Sequence, residues 1–357
     1  MSRKSLSWLP ALVVPAVIAA AVVAVPLQAG ASVDLPDKSA DEVLQLLAES
    51  TEDSFSGTVE KTADLGLPSI PEGMDAVAPG DAGAVGSLFE LLGGTQEARV
   101  FVDGPLNLRV QVKDSLAERL AVTNGTDAWY YDSETNVATH VAIPADAEAE
   151  LREKLDGAAS VATPAQVADR ILDELGPSTN FAVGTDSTVA GRTVYELVLT
   201  PKASGTLAES MSISVDSETG LPLQVTVDAA GQDEPAFEVG FTSIDLADPA
   251  ADLFQFTPGD VTIEEKPFPS APDGAPHDPG SPVGEPVVSG TGWDAIVEIP
   301  AASVPDDLAS DPLFAQLTTE VDGGRVFSTA LVTVLLTDDG RLLAGSVPAD
   351  RLVAAAG

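Results

Sequence analysis

Val122-Thr-Asn-Gly-Thr-Asp-Ala-Trp-Tyr-Tyr-Asp-Ser-Glu-Thr-Asn-Val-Ala-Thr-His-Val141 holds two turns between three short strand segments. Asn124-Gly125 supplies the positive-φ residues that a two-residue hairpin needs. Asp132 to Asn136 supplies the second turn, with Asn136 suited to the left-handed region. The Ala-Trp-Tyr-Tyr run between the turns is bulky and suits a half-buried strand. Three antiparallel strands in so few residues make a meander, and the flanking sequence extends it.

Upstream, strands are expected over residues 55–62, 99–102, 108–112 and 119–123, because apolar residues alternate there. In the first, Phe55, Gly57 and Val59 share a face. Val100 and Val102, then Leu108, Val110 and Val112, then Leu120 and Val122 each share a face of their own strand. Downstream, residues 192–200, 211–216, 221–228 and 236–244 read the same way, with Tyr195, Leu197 and Leu199 alternating in the first of them. Asp216-Ser-Glu-Thr-Gly220 repeats the turn at 132–136, with Gly in place of Asn at the position that takes φ > 0.

Helices punctuate this series. Ser39-Ala-Asp-Glu42 is a capping box that predicts a short amphipathic helix over 39–50. An alanine-rich surface helix is expected over 145–158. Thr163-Pro164-Ala-Gln166 opens a second capped helix, with Val167, Ile171, Leu172 and Leu175 on its apolar face and Gly176-Pro177 as its stop. Residues 68–99 hold Pro, Gly and Ala around one amphipathic island, Ser87-Leu-Phe-Glu-Leu-Leu92. A long irregular stretch of this kind is either a lid, with Leu88, Phe89 and Leu92 as its apolar contacts, or a simple insertion.

Arg3 and Lys4 precede an uncharged run from Trp8 to Leu27, which ends in Ala29-Gly30-Ala31. Residues 1–31 therefore form an export signal or a retained membrane anchor, and either places the body outside the cytoplasm. Residues 266–290, dense in Pro, Gly, Ser and Asp, form a linker. Beyond it, residues 291–357 make a small C-terminal module: a strand over 293–299, a short helix over 311–317, a hairpin of 327–336 and 341–347 turning at Asp338-Asp339-Gly340, and a closing helix over 348–356. Residues 32–265 make the main domain.

Composition narrows the function. The 357 residues carry 17 Lys+Arg against 56 Asp+Glu, a formal charge of -39. Such a surface repels phosphate backbones, which argues against a nucleic-acid partner. No cysteine is present, so disulfides, thiolate catalysis and cysteine-ligated metals are excluded. His140 and His277 are the only histidines. A His140-based triad would need a nucleophile elbow, and no G-x-S-x-G occurs. Paired carboxylates are too numerous to mark acid–base chemistry, and the acidic turns lack a twelve-residue calcium loop. We therefore expect no catalytic residue, no metal and no cofactor. Trp129 and Tyr131, on one face of their strand, line either ordinary core or a ligand cavity. Arg109, within an apolar strand, either anchors a lid or headgroup or faces solvent at an edge.

The order of leader, helix, meander, capped helix and further meander resembles the lipoprotein-carrier fold of LolA and LolB, shared with the RseB/MucB regulators of envelope stress. The stretches that carry the resemblance are Gly57, Pro105-Leu-Asn-Leu-Arg109, Asn124-Gly-Thr-Asp-Ala-Trp-Tyr-Tyr-Asp132 and Val189-Ala-Gly-Arg-Thr-Val-Tyr-Glu-Leu-Val-Leu-Thr-Pro201. Asp216-Ser-Glu-Thr-Gly-Leu-Pro222 and Phe254-Gln-Phe-Thr-Pro258 belong with them. The Ala- and Val-rich acidic composition resembles that of an actinobacterial member. The resemblance implies a mainly β fold: an antiparallel half-barrel, incompletely closed, covered by a few α-helices and followed here by a small C-terminal α/β module. It also implies an exported, non-catalytic carrier that holds a lipid or lipoprotein acyl chain in an apolar cavity. Candidate cavity residues are then Val100, Val102, Leu108, Val110, Val112, Leu120, Val122, Trp129, Tyr131, Tyr195, Leu197 and Leu199. The alternative it implies is an envelope regulator that binds an anti-sigma factor or another membrane-bound partner. The stretch at 68–99 is longer than in the carriers, and the tail has no counterpart in the simple ones.

Overall fold

The computed structural model describes residues 33–66, 94–113, 117–145, 177–268, 286–304 and 312–357. The expected leader, the lid stretch with Leu88, Phe89 and Leu92, nearly all of the 145–158 helix, the 163–175 helix and most of the linker lie outside the described residues. Among these, the fold is mainly β. It has one large antiparallel-rich sheet that does not close into a barrel, and a smaller second sheet.

The large sheet is two meanders joined side by side. The first comprises β1 (Ser54–Ala63), β2 (Gly94–Asp103), β3 (Asn107–Lys113), β4 (Glu118–Asn124), β5 (Asp127–Asp132) and β6 (Val137–Ala142), each paired with the next. The second runs through β7 (Thr179–Val183), β8 (Ser187–Val189), β9 (Arg192–Pro201), β10 (Ala208–Asp216), β11 (Pro222–Ala229) and β12 (Phe237–Asp245). β7 and β8 both pair with β9. The meanders meet where β1 pairs with β12, through a register shift at Thr58/Val59. β13 (Thr262–Glu265) adds in parallel to β6 at one edge, while β7 ends the other.

The two turns of the meanders behave as their residues dictate: Asn136 has φ 53° and Gly220 has φ 76°. Helix α1 (Ala40–Ala48) starts at the expected capping box. The Ser39 amide donates to Glu42 Oε2 at 2.7 Å, and the Glu42 amide donates to Ser39 Oγ at 3.3 Å. The Ser39 amide, followed by the Ser39 hydroxyl that donates to Glu42 Oε2 at 2.8 Å, holds the Glu42 carboxyl below its ordinary pKa. Val43 and Leu44, the buried face of α1, pack on Tyr195, Leu197, Leu199 and Val215. The Tyr195 hydroxyl donates to the Pro36 carbonyl at 3.1 Å, which ties the segment before α1 to β9.

The second sheet is ordered β14 (Val287–Ser289), β15 (Ile296–Ile299), β19 (Leu342–Gly345), β18 (Thr333–Thr337), β17 (Gly324–Ser328), β16 (Thr319–Val321). Helices α2 (Pro312–Leu317) and α3 (Ala349–Ala356) accompany it, and Leu352 of α3 is buried with Ile296, Val326, Leu335, Leu343 and Val347. Three expectations change here. Trp293 belongs to a 3-10 turn (Gly292–Asp294) rather than to a strand, because the Thr291/Asp294 capping box closes that turn. The stretch 327–336 is broken between Ser328 and Thr333, where Thr329 Oγ1 accepts from the amides of Leu331 and Val332. The sheet also begins at Val287, inside the stretch expected to be linker.

The two sheets touch at several points. Trp293 Nε1 donates to Thr179 Oγ1 at 2.8 Å, and its ring joins the cluster under α1. The Ala330 amide donates to the Leu65 carbonyl at 2.8 Å, and the Leu207 amide to the Ser346 carbonyl at 2.9 Å.

Candidate ligand cavity

A cavity of about 440 Å³ opens on one face of the large sheet, across the junction of the two meanders. One half of its lining is Phe55 and Val59 of β1, Val100 and Val102 of β2, and Leu108 and Val110 of β3. The other half comes from Met211 of β10, residues 221–225 and Val227 around β11, and Phe237, Val239 and Phe241 of β12. Gln224 supplies the polar exception. On β1, β2, β3 and β12 alternation aims these side chains to one side, and the pairings Val100↔Val110 and Val102↔Leu108 keep neighbouring strands in phase.

Gly57 shapes the floor. A Cβ there would lie 2.5 Å from the Ser243 carbonyl oxygen and 2.7 Å from Phe241 Cδ1. Without one, the Phe241 ring lies across β1 and meets Phe55 edge-on, with centroids 5.8 Å apart at 86°. A close backbone approach of this kind is a recognised use of glycine in a strand. Lys61 follows Val59 on the same face of β1, opposite Val239 and Gln96, and is only 3% exposed. Burial pushes its ammonium pKa down.

Val100, Val102, Leu108 and Val110 thus stand in the cavity wall. Val112 shares their face of β3, but it sits opposite Ala98 and Arg119 and outside the lining. Leu120 and Val122 lie on the opposite face. The β3–β4 register sets Leu120 across from Gln111 and Val122 across from Arg109, while Val110 faces Ala121. Trp129 and Tyr131 follow them, paired with Val122 and Leu120.

That opposite face is covered by the segment after β12. The ring of Phe256 is 5.1 Å from Trp129 and 5.9 Å from Tyr131. Arg109 also points there, and its Nη1 donates to the Leu253 carbonyl at 2.8 Å. Leu253 belongs to a 3-10 turn (Ala251–Phe254) whose Phe254 is buried.

Tyr195, Leu197 and Leu199 are on the cavity face, in register with Val215, Ile213 and Met211. Helix α1 covers them. Met211 touches both regions, since it packs with the α1 cluster and also lines the cavity. The lining from β10, β11 and β12 was not assigned to a site from sequence. Its signal was the same alternation, and what was lacking was the knowledge that β12 lies beside β1.

No protein-family model matches the chain. No curated protein matches it either. Among solved structures, it is similar to Pseudomonas aeruginosa MucB in complex with MucA: 17% identical, over 87% of this chain and 95% of that one, with a TM-score of 0.44. It is also similar to MucB alone, at 16% identity over 88% and 94% of the two chains with a TM-score of 0.41. A LolA-superfamily protein of Nitrosomonas europaea matches at 11% identity, over 62% and 99%, with a TM-score of 0.24. These are the two groups that the sequence motifs resemble. At such identities and TM-scores the likeness assigns no function, and the functional reading rests on the cavity.

Proposed function

We propose that this is an exported binding protein that holds an acyl chain of a lipid or lipoprotein in the cavity at the junction of the two meanders. The observation that carries the reading is the lining, apolar on every contributing strand with Gln224 as its exception. A volume of about 440 Å³ falls within the range of ~300–1,000 Å³ typical of small-molecule sites. Each methylene buried there would contribute about 0.8 kcal/mol, so affinity can come from length alone, without a specific polar contact and without chemistry on the ligand. Export rests on the charged start, apolar run and Ala29-Gly30-Ala31 of the N-terminal sequence. In this reading the main domain, residues 32–265, carries the ligand, and the second sheet is an accessory module.

The test is purification from the native host followed by lipid extraction and mass spectrometry. Near-stoichiometric acyl lipid is expected, and Val110→Trp, which fills the cavity, should abolish it while the protein stays folded. A protein that is repeatedly empty would overturn the proposal.

A second reading, a regulator that binds a membrane-anchored partner, is favoured by β14. Among the described residues that strand is an edge of the second sheet, and its Val287 and Val288 are 59% and 62% exposed. Exposed edges accept partner strands. Crosslinking on intact cells separates the two: a stoichiometric membrane-protein partner favours regulation, and lipid transfer between membranes favours carriage.

A further inference from the structure

His140 stands between two carboxylates from different strands. Its Nε2 lies 2.8 Å from Asp127 Oδ1 of β5, and its Nδ1 lies 2.8 Å from Glu265 Oε2 of β13. A neutral imidazole has one N–H and can donate to only one of them, leaving a lone pair aimed at the other. Only the imidazolium, which donates from both nitrogens, satisfies this arrangement. The ring also stacks on Trp129, with centroids 4.1 Å apart at 20°, a geometry that favours a cation over the indole face. Burial disfavours the charged ring, yet the bonds to Asp127 and Glu265 outweigh that, and the His140 pKa is raised. The bond to His140, followed by that to Thr126, holds the Asp127 carboxyl below its ordinary range.

The strand being held needs a fastener. All four residues of β13 are exposed, and among the described residues the strand pairs with β6 alone. The other charged groups of β13 and its end, Glu264 and Lys266, pair with each other at 2.9 Å. On β5, Asp127 is the charged group facing the ring, with Trp129 opposite it in the register. Besides the ladder that sets Thr262–Glu265 beside Val137–His140, backbone bonds at the two ends of β13 run from the Thr262 amide to the Asn136 carbonyl and from the Lys266 amide to the His140 carbonyl. Upstream, the same segment lays Phe256 over Trp129 and Tyr131.

We infer that His140 is a proton-operated latch: its imidazolium, bridging Asp127 and Glu265, fastens β13 to the sheet edge, and loss of the proton releases that strand. The sign follows from linkage. The latch stabilises fully below the ordinary imidazole pKa of 6.5 and loses that contribution as pH rises through the raised value. At the acid end it weakens as pH falls through the depressed value of Asp127. Release would leave the β6 edge bare and loosen the cover over Trp129 and Tyr131, whatever the cavity holds.

The experiment is an imidazole NMR titration of the full chain bearing His277→Gln, which leaves one histidine signal, with amide hydrogen exchange followed in parallel. The His140 midpoint should lie above 6.5. Protection of the β13-paired amides, taken relative to β18 amides, should fall about tenfold as pH rises from about 6 to 8, in step with the titration. Glu265→Gln should lower the midpoint and remove the pH dependence of β13 protection. A midpoint at or below 6.5, a flat β13 protection profile, or a Glu265→Gln protein that titrates like the parent would each overturn the latch.

Discussion

The same four residues, Asp-Ser-Glu-Thr, make the turn after β5 and the turn after β10, and the two turns do different work. In both, the serine amide donates across to the neighbouring strand: Ser133 to the Glu118 carbonyl at 3.0 Å and Ser217 to the Thr193 carbonyl at 2.9 Å. In both, the aspartate accepts from the glutamate amide, at 2.8 Å for Asp132 and 3.2 Å for Asp216. There the likeness ends. Asp132 serves its own turn at the rim of the sheet. Asp216 is 1% exposed, accepts from Thr219 Oγ1 at 2.8 Å, and is ion-paired with Arg192 Nε. That hydrogen bond, ahead of the cost of burial, raises the Arg192 pKa. The fifth residue differs in the same sense. Asn136 tolerates the left-handed conformation, whereas at Gly220 a Cβ would stand 2.1 Å from the Leu46 carbonyl oxygen of α1. Local sequence fixes the turn; the element packed upon it fixes what the turn is worth.

Substitutions at matched positions test this contrast, with stability followed by urea denaturation. Asp216→Ala should show the largest loss, about 4 kcal/mol, because it removes the buried carboxylate that holds Arg192 Nε, Thr219 Oγ1 and the Glu218 amide together. Gly220→Ala comes next at about 3 kcal/mol, since it adds left-handed strain to a contact with helix backbone that cannot yield cheaply. Asp132→Ala should cost about 1 kcal/mol, the worth of an ordinary turn hydrogen bond. Asn136→Gly should change stability by about 0.5 kcal/mol or less, as glycine adopts this φ freely and offsets the lost side-chain bonds. If Asp132→Ala and Asp216→Ala destabilise equally, the two turns are equivalent and the contrast fails.

Much of the large sheet was legible because its central strands alternate in the plain two-residue period. β7, β8, β13, β14 and β16 were not, for a common reason. They have three to five residues, several of them exposed, which is too short to display a two-residue period, and they take their strand character from the strand they pair with. β13 is the clearest case, because its parallel partner β6 lies across more than a hundred residues.

The cavity was partly legible for a related reason. Alternation shows that Val100 and Val102 share a face, and that Leu120 and Val122 share a face. It does not show whether those faces are the same, because one residue of register inverts the answer. Here the β3–β4 pairing inverts it, and Trp129 and Tyr131 go with Leu120 to the side covered by Phe256. At Tyr195, Leu197 and Leu199 the face is that of the cavity, and the cover comes from a helix well over a hundred residues earlier in the chain.

The pairing of β1 with β12 has a consequence in time. Ser56 lies opposite Asp245, so β1 has no permanent neighbour on that side during synthesis until the last strand of the second meander follows. Contacts between residues so distant in sequence form late and slow folding. The cavity spans this seam and takes its walls from both sides, so it cannot exist before the seam closes. Through most of the protein's emergence, Val59, Val100 and Val110 face an absent wall, and a half-made chain offers that greasy strip to whatever is nearby. A chaperone that recognises the nascent protein would find its target in the residues that line the finished cavity.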